Sequence, residues 1–170
     1  ADVNSLISQA NWILFAMLDV NVPNSPASDA VKMFLRLRSD ILRDKKVIVM
    51  AYDVPYYLDA TEISKLTAYY GVYSKIEAFL EAVVRSVFQE YSPTGALPVS
   101  VESVGYDLIV QTAPDPNQVI ELQASGGSGQ DSPSSSVSIS VGSELWVKTG
   151  VILDRNGHYV PDGTPVSFRL

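Results

Sequence analysis

Lys45–Tyr73 reads KKVIVMAYDVPYYLDATEISKLTAYYGVY, and two short apolar runs inside it, Val47–Tyr52 (VIVMAY) and Thr67–Tyr73 (TAYYGVY), decide the fold. Both are rich in β-branched and aromatic residues and neither alternates with polar positions. Runs of that length and character predict strands covered on both faces, as in parallel sheets. A third run of the same kind, Trp12–Leu18 (WILFAML), lies upstream. At seven residues it is far short of the roughly 20 that span a bilayer, so it reads as a buried strand and not an anchor.

Between Trp12–Leu18 and Val47–Tyr52 lies SPASDAVKMFLRLRSDILRDKK, where Val31, Phe34, Leu35, Ile41 and Leu42 recur at helical spacing. Ser25 or Ser28 can cap its start and Pro26 suits a first turn. Arg43, Lys45 and Lys46 gather at its end, where the helix dipole favours cations. After Thr67–Tyr73, Ile76, Phe79, Leu80, Val83, Val84, Val87 and Phe88 repeat the helical pattern. Strands alternating with helices imply right-handed crossovers and a doubly wound, mostly parallel α/β sheet with helices on both faces.

Composition shifts at SGGSGQDSPSSS, residues 125–136, a glycine- and serine-rich linker. Nine basic and fifteen acidic residues precede it, and three and four follow from its start. Downstream, Val137, Ile139 and Val141, then Leu145, Val147 and Thr149, then Val151 and Leu153 alternate with period two, the mark of strands with one buried face. Asn156–Gly157 and Pro161–Asp162–Gly163 are turn signals. The expected organisation is an α/β domain at 1–123, a linker at 124–136 and a partial β-sandwich at 137–170. Some 34 residues supply only part of the seven or so strands such a sandwich needs. Its uncovered apolar face predicts mobility, docking, or self-association through the truncated β segment.

The 170 residues carry net charge −7, which disfavours phosphate backbones and anionic membranes as partners. With no cysteine there is no disulfide framework and no thiolate site. Neither the dinucleotide fingerprint nor a nucleotide P-loop is present, so no cofactor is expected. The single histidine, His158, falls in a turn signal, which excludes a nucleophile–histidine relay within the α/β domain. Asp154–Arg155–Asn156–Gly157 echoes a calcium loop but lacks its later ligands, and no metal is expected. Glu77 and Glu81 read as a solvated helix face, and Asp59 with Glu62 as a capping box.

Ligands of open α/β sheets bind beyond the carboxyl ends of the strands. Those ends carry Asp19 after Trp12–Leu18, Asp53, Tyr56 and Tyr57 after Val47–Tyr52, with Asp59 beyond, and Tyr73 and Ser74 at the end of Thr67–Tyr73. The acids and tyrosines of Asp53–Asp59 can stack on and hydrogen-bond a sugar, or fill a domain interface; Asp53, Tyr56, Tyr57 and Asp59 are the candidate cleft or interface residues.

The block PYYLDATEISKLTAYYG, with PTGALPVSV, GYDLI and PDPNQVIEL following, resembles the C-terminal α/β domain of bacterial glycoside hydrolase family 3 enzymes of the β-N-acetylhexosaminidase and β-glucosidase type, over residues 1 to about 123. VKTGVILDRNGHYVPDGTPVSFRL resembles the first strands of an invasin-type bacterial immunoglobulin-like module. The first resemblance implies that the catalytic aspartate, and in one branch an acid/base histidine, belong to an upstream TIM barrel that these residues do not include. No position matches the glutamate that acts as acid/base in the other branch, and the role does not transfer to Glu62. The expectation is an accessory domain, silent alone, that packs on that barrel and shapes a cleft for β-linked sugar. The alternative is a stand-alone carbohydrate-binding or cell-surface structural module. The linker and tail imply an extracellular or cell-envelope location, and the opening ADVN suggests a piece of a longer protein.

Overall fold

A computed structural model describes residues 2–126 and 140–169. The chain divides into two compact units, residues 1–107 and 108–170.

In the first unit the three apolar runs form one parallel sheet in the order β1-β2-β3: β1 Trp12–Met17, β2 Lys46–Ala51 and β3 Ala68–Gly71. Helix α1, Val3–Gln9, precedes β1. The segment expected as one helix between β1 and β2 is broken into a 3₁₀ turn at Pro26–Asp29, α2 at Ala30–Leu37 and a single turn, α3, at Ser39–Leu42. The break falls at Arg38, whose φ of −119° and ψ of 28° leave the helical region. Neither serine caps through its side chain as expected; the Ser28 hydroxyl instead accepts the Asn21 N–H at 2.9 Å, closing the turn in front of the helix. Helix α4 is the single turn Ala60–Ile63, and α5 runs Glu77–Val87.

Alternate residues of the central strand feed two cores. Val47, Val49 and Ala51 pack with Val31 and Leu35 of α2 and Leu42 of α3. Met50 and Tyr52 pack with Val72 and with Val83 of α5. Helices therefore lie on both faces of β2, which is buried along its length after Lys46. The expectation that all three strands are covered on both faces fails at β1. Its inward residues Ile13, Phe15 and Met17 join the α2 core, but Trp12, Leu14 and Ala16 are exposed, because α5 covers only β2 and β3. An apolar run without polar alternation here marks an uncovered sheet edge.

In the second unit the only described sheet is a two-stranded antiparallel ribbon of β4, Leu122–Gly126, and β5, Leu145–Thr149. Residues 108–126, most of which the sequence assigns to the α/β domain, fall in the second unit, where β4 pairs with β5. Of the expected linker, residues 124–126 are strand, and 127–136 lie outside the described residues, as do Val137 and Ile139. Val151, Leu153 and Val166–Phe168 form no strand; Leu153 makes one isolated bridge, to Tyr159, across the Asn156–Gly157 turn. Gly157 has φ 81°, the left-handed conformation that turn requires.

Candidate functional site

Beyond the carboxyl end of β2 the chain leaves the sheet at Asp53, passes Pro55, and re-enters regular structure at Asp59, the N-cap of α4. The expected capping box is present. The Asp59 carboxylate accepts the Glu62 N–H at 2.8 Å, and the Glu62 carboxylate accepts the Asp59 N–H at 2.9 Å. What a capping box does not require is that its glutamate be buried, yet Glu62 is 2 % exposed.

Two cations from α2 compensate that buried charge. Arg36 Nε donates to Glu62 Oε1 at 2.7 Å, and Lys32 Nζ lies 3.5 Å from Glu62 Oε2. Each also reaches the strand-end loop. Arg36 lies 3.6 Å from the Asp59 carboxylate, while Lys32 donates to the Tyr57 carbonyl at 3.0 Å and sits 4.7 Å from the centre of the Tyr57 ring. That stacking is a cation–π contact. Lys65 adds a further tie from the end of α4, donating to the Leu35 carbonyl at 2.7 Å. The loop Tyr57–Asp59 is thus bound to α2 by charge-assisted bonds at both ends, with the buried Leu58 as an apolar plug between them.

The charges leave their mark on ionisation. The N–H of Glu62 holds the Asp59 carboxyl below the usual carboxylate range, against a smaller upward push from desolvation, and Lys32 and Arg36 act in the same direction as the N–H. The Tyr57 phenol is raised, first by desolvation and then by the nearby charges of Asp29 and Glu62, with Arg36 opposing.

Tyr56 and Tyr57 line two depressions. One, of about 230 Å³, lies at the carboxyl ends of β1 and β2 and is bounded by Met17, Leu18, Ala51 and Asp53. The other, an open trough of about 890 Å³, runs between Lys32, Asp59 and the segment Ser100–Ser103. Three of the four candidate residues therefore share each depression: Asp53 with the tyrosines in the first, Asp59 with them in the second. Tyr56 is 53 % exposed, whereas Tyr57 is half-buried against Lys32. Across the same end of the sheet Asp19, after β1, pairs with Lys75, beyond β3, at 2.6 Å.

Beyond β3, Tyr73 takes a positive φ of 60°, rare for a bulky residue, and its ring folds back over Gly71. A Cβ at Gly71 would lie 2.8 Å from the Tyr73 ring, so glycine is required there by close approach. The Tyr69 and Tyr73 hydroxyls are shielded from solvent and have no hydrogen-bond partner among the described residues. Burial, with Tyr73 beside it, pushes the Tyr69 phenol up to about 12; burial also raises that of Tyr73.

Lys32 and Arg36 were not singled out by reasoning from sequence. Their spacing of four places both on one flank of α2, but nothing in the sequence says that this flank faces Asp59 and Glu62. Elsewhere the acidic pair on α5 is solvent-exposed as expected, with Glu81 3.7 Å from Arg85. Asp154 is buried within its own turn. Desolvation pushes its carboxyl upward, but the N–H groups of His158 and Asn156 and the Asn156 amide outweigh it and hold the group below the usual range. Among the described residues no group of three or more histidines and carboxylates is arranged to hold a metal. No helix among them is long and apolar enough to cross a membrane.

No family model matches the chain, and no curated protein or solved structure matches it either.

Proposed function

We propose that residues 1 to about 123 are a non-catalytic accessory domain of a family 3 glycoside hydrolase, of β-N-acetylhexosaminidase or β-glucosidase type, built on a doubly wound α/β plan. In this reading the domain packs on an upstream TIM barrel of the same polypeptide. Its strand-end rim then forms part of the wall of a cleft for β-linked sugar. The observation that carries the reading is the loop Tyr56–Asp59, held to α2 through the buried Glu62 while presenting the half-exposed Tyr56 ring and the exposed Asp53 and Asp59 carboxylates. A rigid rim of aromatic and acidic groups at the carboxyl end of a parallel sheet suits stacking on and hydrogen bonding to a sugar, or filling a domain interface. The catalytic pair of a retaining glycosidase must stand about 5 Å apart across one sugar. The reading assigns that pair to the barrel and leaves this chain silent alone, acting from an extracellular or envelope location. The residues after 137 serve in this reading as a partial immunoglobulin-like spacer.

The test is Tyr56→Ala and Asp59→Ala in the barrel-containing polypeptide, with hydrolysis and thermal unfolding both followed. A fall in kcat/KM or loss of the joint unfolding of the two domains is expected. Unchanged hydrolysis together with unchanged unfolding in both variants overturns the assignment.

A further inference from the structure

The edge of the parallel sheet at β1 is unguarded, and its backbone shows what fits it. Lys46 N–H donates to the Asn11 carbonyl and Tyr52 N–H to the Met17 carbonyl, each at 2.9 Å. Backbone groups of successive strand residues point to opposite sides, so Asn11, Ile13, Phe15 and Met17 turn theirs towards β2. The N–H and C=O groups of Trp12, Leu14 and Ala16 therefore point away from the sheet, and no backbone bond joins them to another segment among the described residues. Pairing with β2 is continuous from Trp12 to Met17, with no bulge. The strand contains none of the devices that blunt an edge: no proline, no lysine, no charge at all from Ala10 to Leu18.

We propose that β1 is a self-association edge, pairing antiparallel with β1 of a second copy about a two-fold axis at Leu14. That register uses every outward-facing residue of the strand. Leu14 faces Leu14 of the second copy, and Trp12 faces Ala16 on either side; all are hydrogen-bonded pairs, in which both N–H···O bonds are exchanged. Facing residues of such pairs project to the same side, so the indole of Trp12 lies over the smallest side chain of the strand, a large-to-small match that symmetry repeats. The side chains concerned form the uncovered face of β1, where Trp12 and Leu14 are 54 % and 47 % exposed. The two three-stranded sheets become one of six. One strand edge and these side chains bury less than the roughly 800 Å² per partner of a standard stable interface. The dimer is therefore expected to dissociate on dilution. The residues of this contact are not those of the strand-end loop or of the C-terminal ribbon.

The experiment is sedimentation velocity of this chain over a wide concentration series, with Leu14→Lys and Val147→Lys as variants and circular dichroism as the check on folding. Leu14→Lys sets two ammonium groups side by side at the two-fold axis, and its backbone can still pair with β2. It is expected to weaken association by more than about tenfold, since like charges facing across an interface cost several kcal/mol. Val147→Lys, on β5, is expected to leave association unchanged. Amide exchange at high concentration should slow at Trp12, Leu14 and Ala16. A chain monomeric at every concentration overturns the proposal. So does a dimer that survives in Leu14→Lys, or one that is lost only in Val147→Lys, which would move the contact to the ribbon.

Discussion

Replacing Glu62 by glutamine probes the network under the strand-end loop with almost no change of shape. Removing one partner of a buried ion pair costs about 3–5 kcal/mol when the other charge stays buried. Here the stranded cations are not equally trapped: the Arg36 side chain is 55 % exposed and regains water, whereas that of Lys32 is 21 % exposed. Glutamine also retains an oxygen able to accept the Asp59 N–H, so the capping box survives. Discounting for resolvation brings the expected loss to about 1–3 kcal/mol. Glu62→Ala removes the reciprocal cap and leaves a void as well, adding about 1 kcal/mol or more. Lys32→Met should cost more than Arg36→Ala, because Lys32 is the less exposed cation and also satisfies the Tyr57 carbonyl. The assay is urea unfolding followed by far-ultraviolet circular dichroism, with m-values compared so that a change in midpoint is read as stability. Glu62→Gln within about 0.5 kcal/mol of the parent, or equal in cost to Glu62→Ala, would refute the claim that compensated charge holds this loop.

Two further predictions concern pH. The Tyr69 phenol titrates near 12 in the folded chain and near 10 unfolded, so its contribution to stability is full below pH 10 and lost as pH rises through 12. In Tyr69→Phe, unfolding midpoints should fall less steeply over that window, and an unaltered alkaline limb would contradict the assignment. The Asp59 carboxyl lies below 3.8 when folded, so its contribution is present above that pH and lost as pH falls through the lower folded value. Asp59→Asn should flatten the acid limb of the stability profile while largely keeping the N-cap, and an acid limb as steep as the parent's would count against it.

The three apolar runs, the helix before β2 and the helix after β3 were legible because each carries its own periodicity. Coverage of β1 was not, since an apolar strand reads alike whether a helix covers its second face or not. The pairing of β4 was hidden for a similar reason. Glycine and serine at 125–136 signal a linker by composition, but Leu122–Gly126 enters a strand because β5 offers a partner, a contact between residues 19 to 27 apart. At the site, the Asp59–Glu62 capping box follows from a spacing of three and was readable. The burial of Glu62 depends on α2 crossing above it, which no local pattern encodes. The left-handed conformation of Tyr73 is likewise set by the room over Gly71, where its ring packs.

The proposal that this chain is the accessory half of a two-domain glycosidase is tested most directly by hydrolysis of chromogenic N-acetyl-β-glucosaminide and β-glucoside. The chain is assayed alone and then joined to the upstream barrel. The account predicts no turnover from the chain alone and turnover once the barrel is present. Turnover by the isolated chain, lost on mutation of Asp59 or Glu62, would contradict it and put the catalytic groups within this domain.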